Sequence, residues 1–181
     1  MINPADGDAL GYTLTFERAR ALGNTEAVAA LEALGPPPWR DVRSRSAAKG
    51  WATRLTLPND PAGKINSPAL LEALPDYSDG DLKNLAAGLS FSTDTLVTEA
   101  ASFDARRIGA RFPVRLFIFQ GDGDLNTPTE LVKQWFAAVE APAKEIIIIA
   151  NASHAAFYTH ADQLGRLLTD RLRPLLKGSP K

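Results

Sequence analysis

The run Glu145-Ile146-Ile147-Ile148-Ile149 sets four isoleucines side by side. A strand with one wet face alternates apolar and polar residues, so an unbroken apolar run predicts a strand covered on both faces, as in a parallel sheet. That run extends over residues 145–150, and a second β-rich, nearly all-apolar run covers residues 114–120. Between them Leu131, Val132, Trp135, Phe136 and Val139 recur at helical spacing. Thr127 or a neighbour is expected to cap this helix, and Ala141-Pro142 to stop it after Val139. A last amphipathic helix is expected over residues 158–176, with Leu164, Leu167, Leu168, Leu172 and Leu175 facing inward. The order is βαβα, two parallel strands joined by a right-handed crossover. Each strand would leave a row of unpaired backbone groups on one edge, so the pattern implies further strands that these residues do not supply.

Ahead of residue 111 no stretch has a strand signal. Residues 10–22 carry good helix formers and run into Gly23-Asn24, a C-terminal stop. Thr25 is expected to cap a second helix to Leu34, with Val28, Leu31 and Leu34 on one face. Gly35-Pro36-Pro37-Pro38 ends it, because prolines have no N–H to continue a helix. Further helices are expected over residues 39–53, 67–74 and 78–103, the last capped by Ser78 or Asp79, with a loop over 55–68. The chain thus divides into a helical layer, residues 1–110, and a βαβα unit, residues 111–181. The fold class is α/β.

Ligand sites in parallel sheets lie beyond the carboxyl ends of the strands. The first run empties into Gly121-Asp122-Gly123-Asp124 and the second into Asn151-Ala152-Ser153-His154. An aspartate in such a place can accept the Nδ1–H of an imidazole, hold its tautomer and stabilise the cation formed when Nε2 takes a proton. Asp124 and His154 are therefore the candidate acid and base. Alone, each has a plainer explanation, since Gly-Asp-Gly-Asp is good turn chemistry and loop histidines are common. Their joint placement at successive βα loops favours the chemical one.

The third member of such a triad, a serine on a G-x-S-x-G elbow, is not found. The nearest segment, Gly88-Leu89-Ser90-Phe91-Ser92, lacks the final glycine and follows no strand. Asp122-x-Asp124-x-Asn126 opens like a calcium loop, but Lys133 stands where that loop needs a glutamate. His160 is expected to be a solvated or capping-region residue. Trp39, Trp51 and Phe91 are expected in the helical core rather than around a ligand.

A formal net charge of -1 gives no electrostatic reason for a nucleic-acid or acidic-membrane partner. Absence of cysteine removes disulfides, thiolate nucleophiles and cysteine metal sites, and two histidines are too few for a histidine-rich centre. No cofactor is expected. No apolar run approaches the roughly 20 residues that span a bilayer, and the first residues lack the basic-then-apolar pattern of a secretory signal. A cytoplasmic protein is the expectation.

Several segments resemble the later half of α/β-hydrolase enzymes of the proline iminopeptidase type. Thr15-Phe16-Glu17-Arg18-Ala19-Arg20, Gly23-Asn24 and Ala33-Leu34-Gly35-Pro36-Pro37-Pro38-Trp39 are similar to the start of that family's helical lid. Phe119-Gln120-Gly121-x-x-Asp124-x-x-Thr127-Pro128 is similar to its acid loop. Ala141-Pro142-x-Lys144 and Ala152-Ser153-His154 are similar to the stretch that leads to its catalytic histidine. The resemblance implies a partial α/β-hydrolase fold: a helical lid followed by the last two parallel strands and helices of the core sheet. It further implies a serine hydrolase that removes an N-terminal residue from a peptide or cleaves a related small amide or ester. Asp124 would be the triad acid and His154 the general base.

Two departures shape that expectation. Ser153 stands where a glycine is common in the family, and the strands carrying the nucleophile and oxyanion hole would precede residue 1. A chain without those groups is expected to be inactive alone. Its expected partners are a peptide or small-amide substrate in the complete enzyme, and a second copy or a completing chain at the unpaired strand edge. The alternative is a non-catalytic binding or assembly module derived from a hydrolase. Glu72, Asp76, Asp79, Asp81 and Glu99 are candidate charges for a substrate amine, each also explained as solvated helix surface.

Overall fold

Pro4 opens the first helix, α1 (Pro4–Ala21), at a position where its missing N–H costs nothing, and Asp6 lies in the first turn. This is a computed structural model that describes residues 4–39, 41–55 and 76–176. Helix α1 begins earlier than residue 10 because Gly7 and Gly11, poor helix formers, are buried on its packed face. It ends as expected: Gly23 takes φ 63° and the Asn24 amide donates to Ala19 O at 3.0 Å.

The cap of α2 (Thr25–Leu34) is Asn24, not Thr25. Asn24 Oδ1 accepts from the Ala27 amide at 2.9 Å, and Thr25 is the first helical residue. Helix α3 (Val42–Arg54) starts later than residue 39 because the Asp41 carboxylate takes the Ser44 amide at 2.8 Å. Trp39 therefore stands outside it and donates from Nε1 to Gly35 O at 3.0 Å. Ser78 and Asp81 form a reciprocal capping box at the start of α4 (Asp79–Ser102). A short turn, α5 (Ala105–Ile108), follows. The helix expected over residues 67–74, the loop beyond Leu55 and Glu72 lie outside the described residues.

Ala19, Ala27, Leu31, Trp51 and Leu55 are the buried centre of the helical layer, with Tyr12, Phe16 and Val28 against them. Trp51 is core, as expected. Phe91 is not: it faces outward from α4 and is 71% exposed.

The rest of the described chain carries a two-stranded parallel sheet. Strand β1 (Leu116–Gly121) pairs with β2 (Lys144–Ile149) in register from Leu116↔Lys144 to Gly121↔Ile149. β1 begins after residue 114 because Pro113 has no amide to offer a ladder and Val114 is exposed. Between the strands lies α6 (Thr129–Ala138), which Thr127 does not cap; Pro128 holds the cap position without a side-chain bond. Lys144 Nζ instead closes its far end, donating to Phe136 O at 2.9 Å and Val139 O at 2.6 Å.

The single helix expected over residues 158–176 is two, α7 (Ala156–Thr159) and α8 (Ala161–Leu176). They break at His160 (φ -124°, ψ 32°), whose Nδ1 meets Thr159 Oγ1 at 2.8 Å. Leu164 and Leu167, like Phe119, pack against the buried cluster of Ile149, Ala152 and Ala156, whereas Leu168 is exposed. Coverage of β2 is one-sided: Ile147 and Ile149 are buried, while Ile148 is 38% exposed on the opposite face. The expectation of two covered faces fails there, since no described element closes over Ile148. No described helix is long and apolar enough to cross a membrane.

Candidate functional site

Glycine at position 121 lets the two strand ends meet. A Cβ there would fall against the carbonyls of Ala152 and Ser153, far inside contact distance. With none, the loop after β2 crosses directly over the end of β1, stitched by backbone bonds. The Asp122 amide donates to Ile149 O at 3.1 Å and the Gly123 amide to Ala152 O at 2.9 Å. In return the Ala152 amide donates to Asp122 Oδ1 at 3.2 Å. The crossing delivers His154 to Asp124.

His154 Nδ1 lies 3.0 Å from Asp124 Oδ2. A carboxylate has only acceptor oxygens, so the Nδ1–H donates and Nε2 is left on the far edge of the ring. The two partners sit in different surroundings: Asp124 is 6% exposed, whereas the His154 side chain is 57% exposed. Both oxygens of the aspartate are occupied. Oδ1 accepts from the amides of Asn126 (2.9 Å) and Thr127 (2.8 Å), an Asx turn that shapes the acid loop. Oδ2 accepts from His154 and from Gln120 Nε2 (3.1 Å).

The hydrogen bond to Asp124 raises the His154 pKa above the ordinary histidine value, against partial burial and the positive charge of Lys49, both of which lower it. An imidazole so placed is a base whose conjugate acid is stabilised by a fixed carboxylate.

The helical layer reaches the same loops. Lys49 Nζ on α3 donates to Asn126 O at 2.7 Å, and Asn126 Nδ2 donates to Thr53 Oγ1 at 2.8 Å. On α1, a Cβ at Gly11 would meet Leu125 O at 2.7 Å, so this helix lies directly on the acid loop. A cavity of about 660 Å³ opens between α3, α4 and the acid loop, with His154, Asn126 and Lys49 in its wall. A second, about 290 Å³, is lined by Asp124 and His154 together with Phe119, Ile149, Phe157 and Leu164.

Asp124 and His154, the two residues singled out in the sequence, are thus brought together. Of the candidate acids for a substrate amine, Asp76, Asp79 and Asp81 are not among the described residues lining either cavity; Glu99 lines an adjoining one that shares Arg45, Leu96 and Ala100 with the larger cavity. His160 takes no part in the pair. Gln120 and Gly121 stood in the acid-loop motif without a role assigned to them, and Gly11 and Lys49 were not identified in the sequence as parts of the site. Among the described residues no group of three or more His, Asp or Glu is placed to hold a metal ion. Comparison with protein-family models, with characterised proteins and with solved structures gave no match.

Proposed function

We propose that this chain carries the acid and base of a serine hydrolase of the α/β-hydrolase lineage, as a helical lid followed by the last βαβα of the core sheet. The observation behind it is the 3.0 Å Asp124–His154 hydrogen bond at the carboxyl ends of two neighbouring parallel strands. In the complete enzyme, Nε2 would take the proton of a serine hydroxyl, Asp124 would stabilise the imidazolium, and the proton would pass to the leaving amine. The motif resemblance supports an aminopeptidase of the proline iminopeptidase type, acting on a peptide or a related small amide or ester. No nucleophile elbow is present in these 181 residues, so the chain alone would not turn over a substrate. The serine would arrive on a strand that pairs with β1, which among the described residues has a strand neighbour on one side only.

A serine-directed fluorophosphonate tests this reading. The chain alone should not be labelled. Mixed with a polypeptide carrying a strand and a G-x-S-x-G turn of the same lineage, labelling should appear on that polypeptide and be lost with His154→Ala. Stoichiometric labelling of this chain by itself would sink the proposal. Failure of any such polypeptide to bind would favour a non-catalytic binding module.

A further inference from the structure

Two peptide groups hold Asp124 by their N–H ends, and the helical layer backs both of them at their carbonyl ends. The amides of Asn126 and Thr127 donate to Asp124 Oδ1 at 2.9 and 2.8 Å. In a trans peptide the carbonyl points away from the N–H, so the far side of each unit is free to meet something else. The carbonyl of the first unit, Leu125 O, lies under Gly11 of α1, where a Cβ would come within 2.7 Å. The carbonyl of the second, Asn126 O, accepts from Lys49 Nζ of α3 at 2.7 Å.

The side chain of Asn126 is held by the same helix. Lys49 and Thr53 are four residues apart on α3 and so face the loop together. Thr53 Oγ1 gives its own proton to Lys49 O at 3.0 Å. That leaves a lone pair for Asn126 Nδ2 at 2.8 Å, and fixes which way the amide points.

We propose that Lys49 is a positioning residue for the acid of the pair, acting on Asp124 through the peptide group between Asn126 and Thr127. An ammonium on the carbonyl and a carboxylate on the N–H polarise one peptide in the same sense, so each hydrogen bond strengthens the other. The line runs from Lys49 Nζ to Asn126 O at 2.7 Å, then from the Thr127 amide to Asp124 Oδ1 at 2.8 Å. It draws the carboxylate's charge toward Oδ1 and away from Oδ2, the oxygen that faces His154. His154 is thereby a weaker base than Asp124 alone would make it, and more of it is neutral and able to take a proton near neutral pH. The charge effects have the matching signs: Lys49 lowers the His154 pKa, and Asp124 raises that of Lys49. Base strength then depends on α3 staying docked on the acid loop, which gives the helical layer a part in the chemistry besides covering it. That His154 acts as a base rests on the function proposed above; the link from Lys49 to Asp124 does not.

Two variants of the full chain, Lys49→Met and Lys49→Arg, test this by NMR without turnover, with the Thr127 amide and the His154 ring as reporters. Loss of the charge in Lys49→Met should move the Thr127 amide proton upfield and raise the His154 midpoint. Lys49→Arg, which keeps the charge, should leave both closer to the unaltered chain. The other charges that bear on His154 and Lys49 are Asp124, Asp8, Arg45 and the amino terminus, and they are the same in all three proteins. A lysine that merely props the loop would give the opposite sign, since a loosened Asp124 lowers the His154 midpoint. Where the unaltered chain has the raised midpoint, a midpoint that falls or stays in Lys49→Met would overturn the proposal. So would one that rises with the Thr127 amide unmoved, because Lys49 would then act on the ring directly. If Lys49→Met does not fold, the unaltered chain decides at pH values where His154 is neutral. There the Asn126 carbonyl carbon and the Thr127 amide nitrogen should shift with the midpoint of the Lys49 ammonium itself, and their indifference to it would overturn the proposal. A raised His154 midpoint that ignores Lys49 defeats the role of Lys49 alone. An ordinary midpoint in the unaltered chain, with a Thr127 amide that follows Lys49, defeats the acid–base reading alone.

Discussion

Gln120 and His154 share one acceptor: both donate to Oδ2 of Asp124, at 3.1 and 3.0 Å. Two donors on one oxygen divide its charge between them. Gln120, buried at the end of β1, also lies within bonding distance of Thr127 O and Thr129 Oγ1, and so ties the acid to the start of α6. Replacing it with alanine should leave His154 a more strongly charged partner and raise the His154 titration midpoint further. It should also cost about 1–3 kcal/mol in urea unfolding, because part of a buried polar network loses its donor.

His154 itself should titrate above the ordinary histidine value of about 6.5 in an NMR pH series. The folded state favours the protonated ring. Its contribution to stability is therefore complete below about pH 6.5 and is lost as pH rises through the folded value. The effect on unfolding should be small, on the order of 0.5 kcal/mol, because more than half of the side chain is in water. Asp124→Asn should bring the midpoint down to the ordinary value or below it, since burial and the Lys49 charge then act unopposed. As a base, His154 should work on the high-pH side of its raised midpoint.

Gly121→Ala should be among the most damaging small substitutions in the chain. The added methyl meets backbone carbonyls of the opposite loop, which cannot move without parting β1 from β2. A loss of about 2 kcal/mol or more is expected in urea unfolding, together with loss of the raised His154 midpoint. A destabilised variant with the midpoint unchanged would show that the crossing of the loops does not position the pair.

Leu31→Ala and Phe91→Ala separate the buried and exposed sides of the helical layer. Leu31 is fully buried among Ala19, Ala27 and Trp51, so its truncation should cost about 2–5 kcal/mol. Phe91, on the outer face of α4, should change stability by no more than about 0.5 kcal/mol. Thermal unfolding of both variants measures this.

The strands were legible because apolar residues follow one another without a polar break over 116–119 and 146–149, and their ends were legible because Gly, Asp and Asn follow soon after. Strand ends in a parallel pair lie side by side, so Asp124 and His154 were placed together by pattern alone. Helix starts were harder. Asn24 and Thr25 are both good caps, and only the Asn24 side chain reaches the third helical amide. Gly7, ahead of the expected helix start, is buried in α1, and Gly11, already inside the expected helix, sits where the helix packs against Leu125 O of the acid loop. Least legible was the link from Lys49 to Asn126, 77 residues apart, because a lysine on a polar helix face carries no sign of where it will dock.

The crossed loops at Gly121 join the acid and the base through their own hydrogen bonds, and α1 and α3 add a further hold on the acid loop. Loops so joined behave as a cassette. A polypeptide that docks along β1 would meet an imidazole already aimed and already paired, and would have no orienting work left to do. The demanding part of a triad, ordering two side chains from different loops, would precede assembly. Any gain in rate on joining would then report how well the newcomer's own side chain is delivered, and nothing about the pair that receives it.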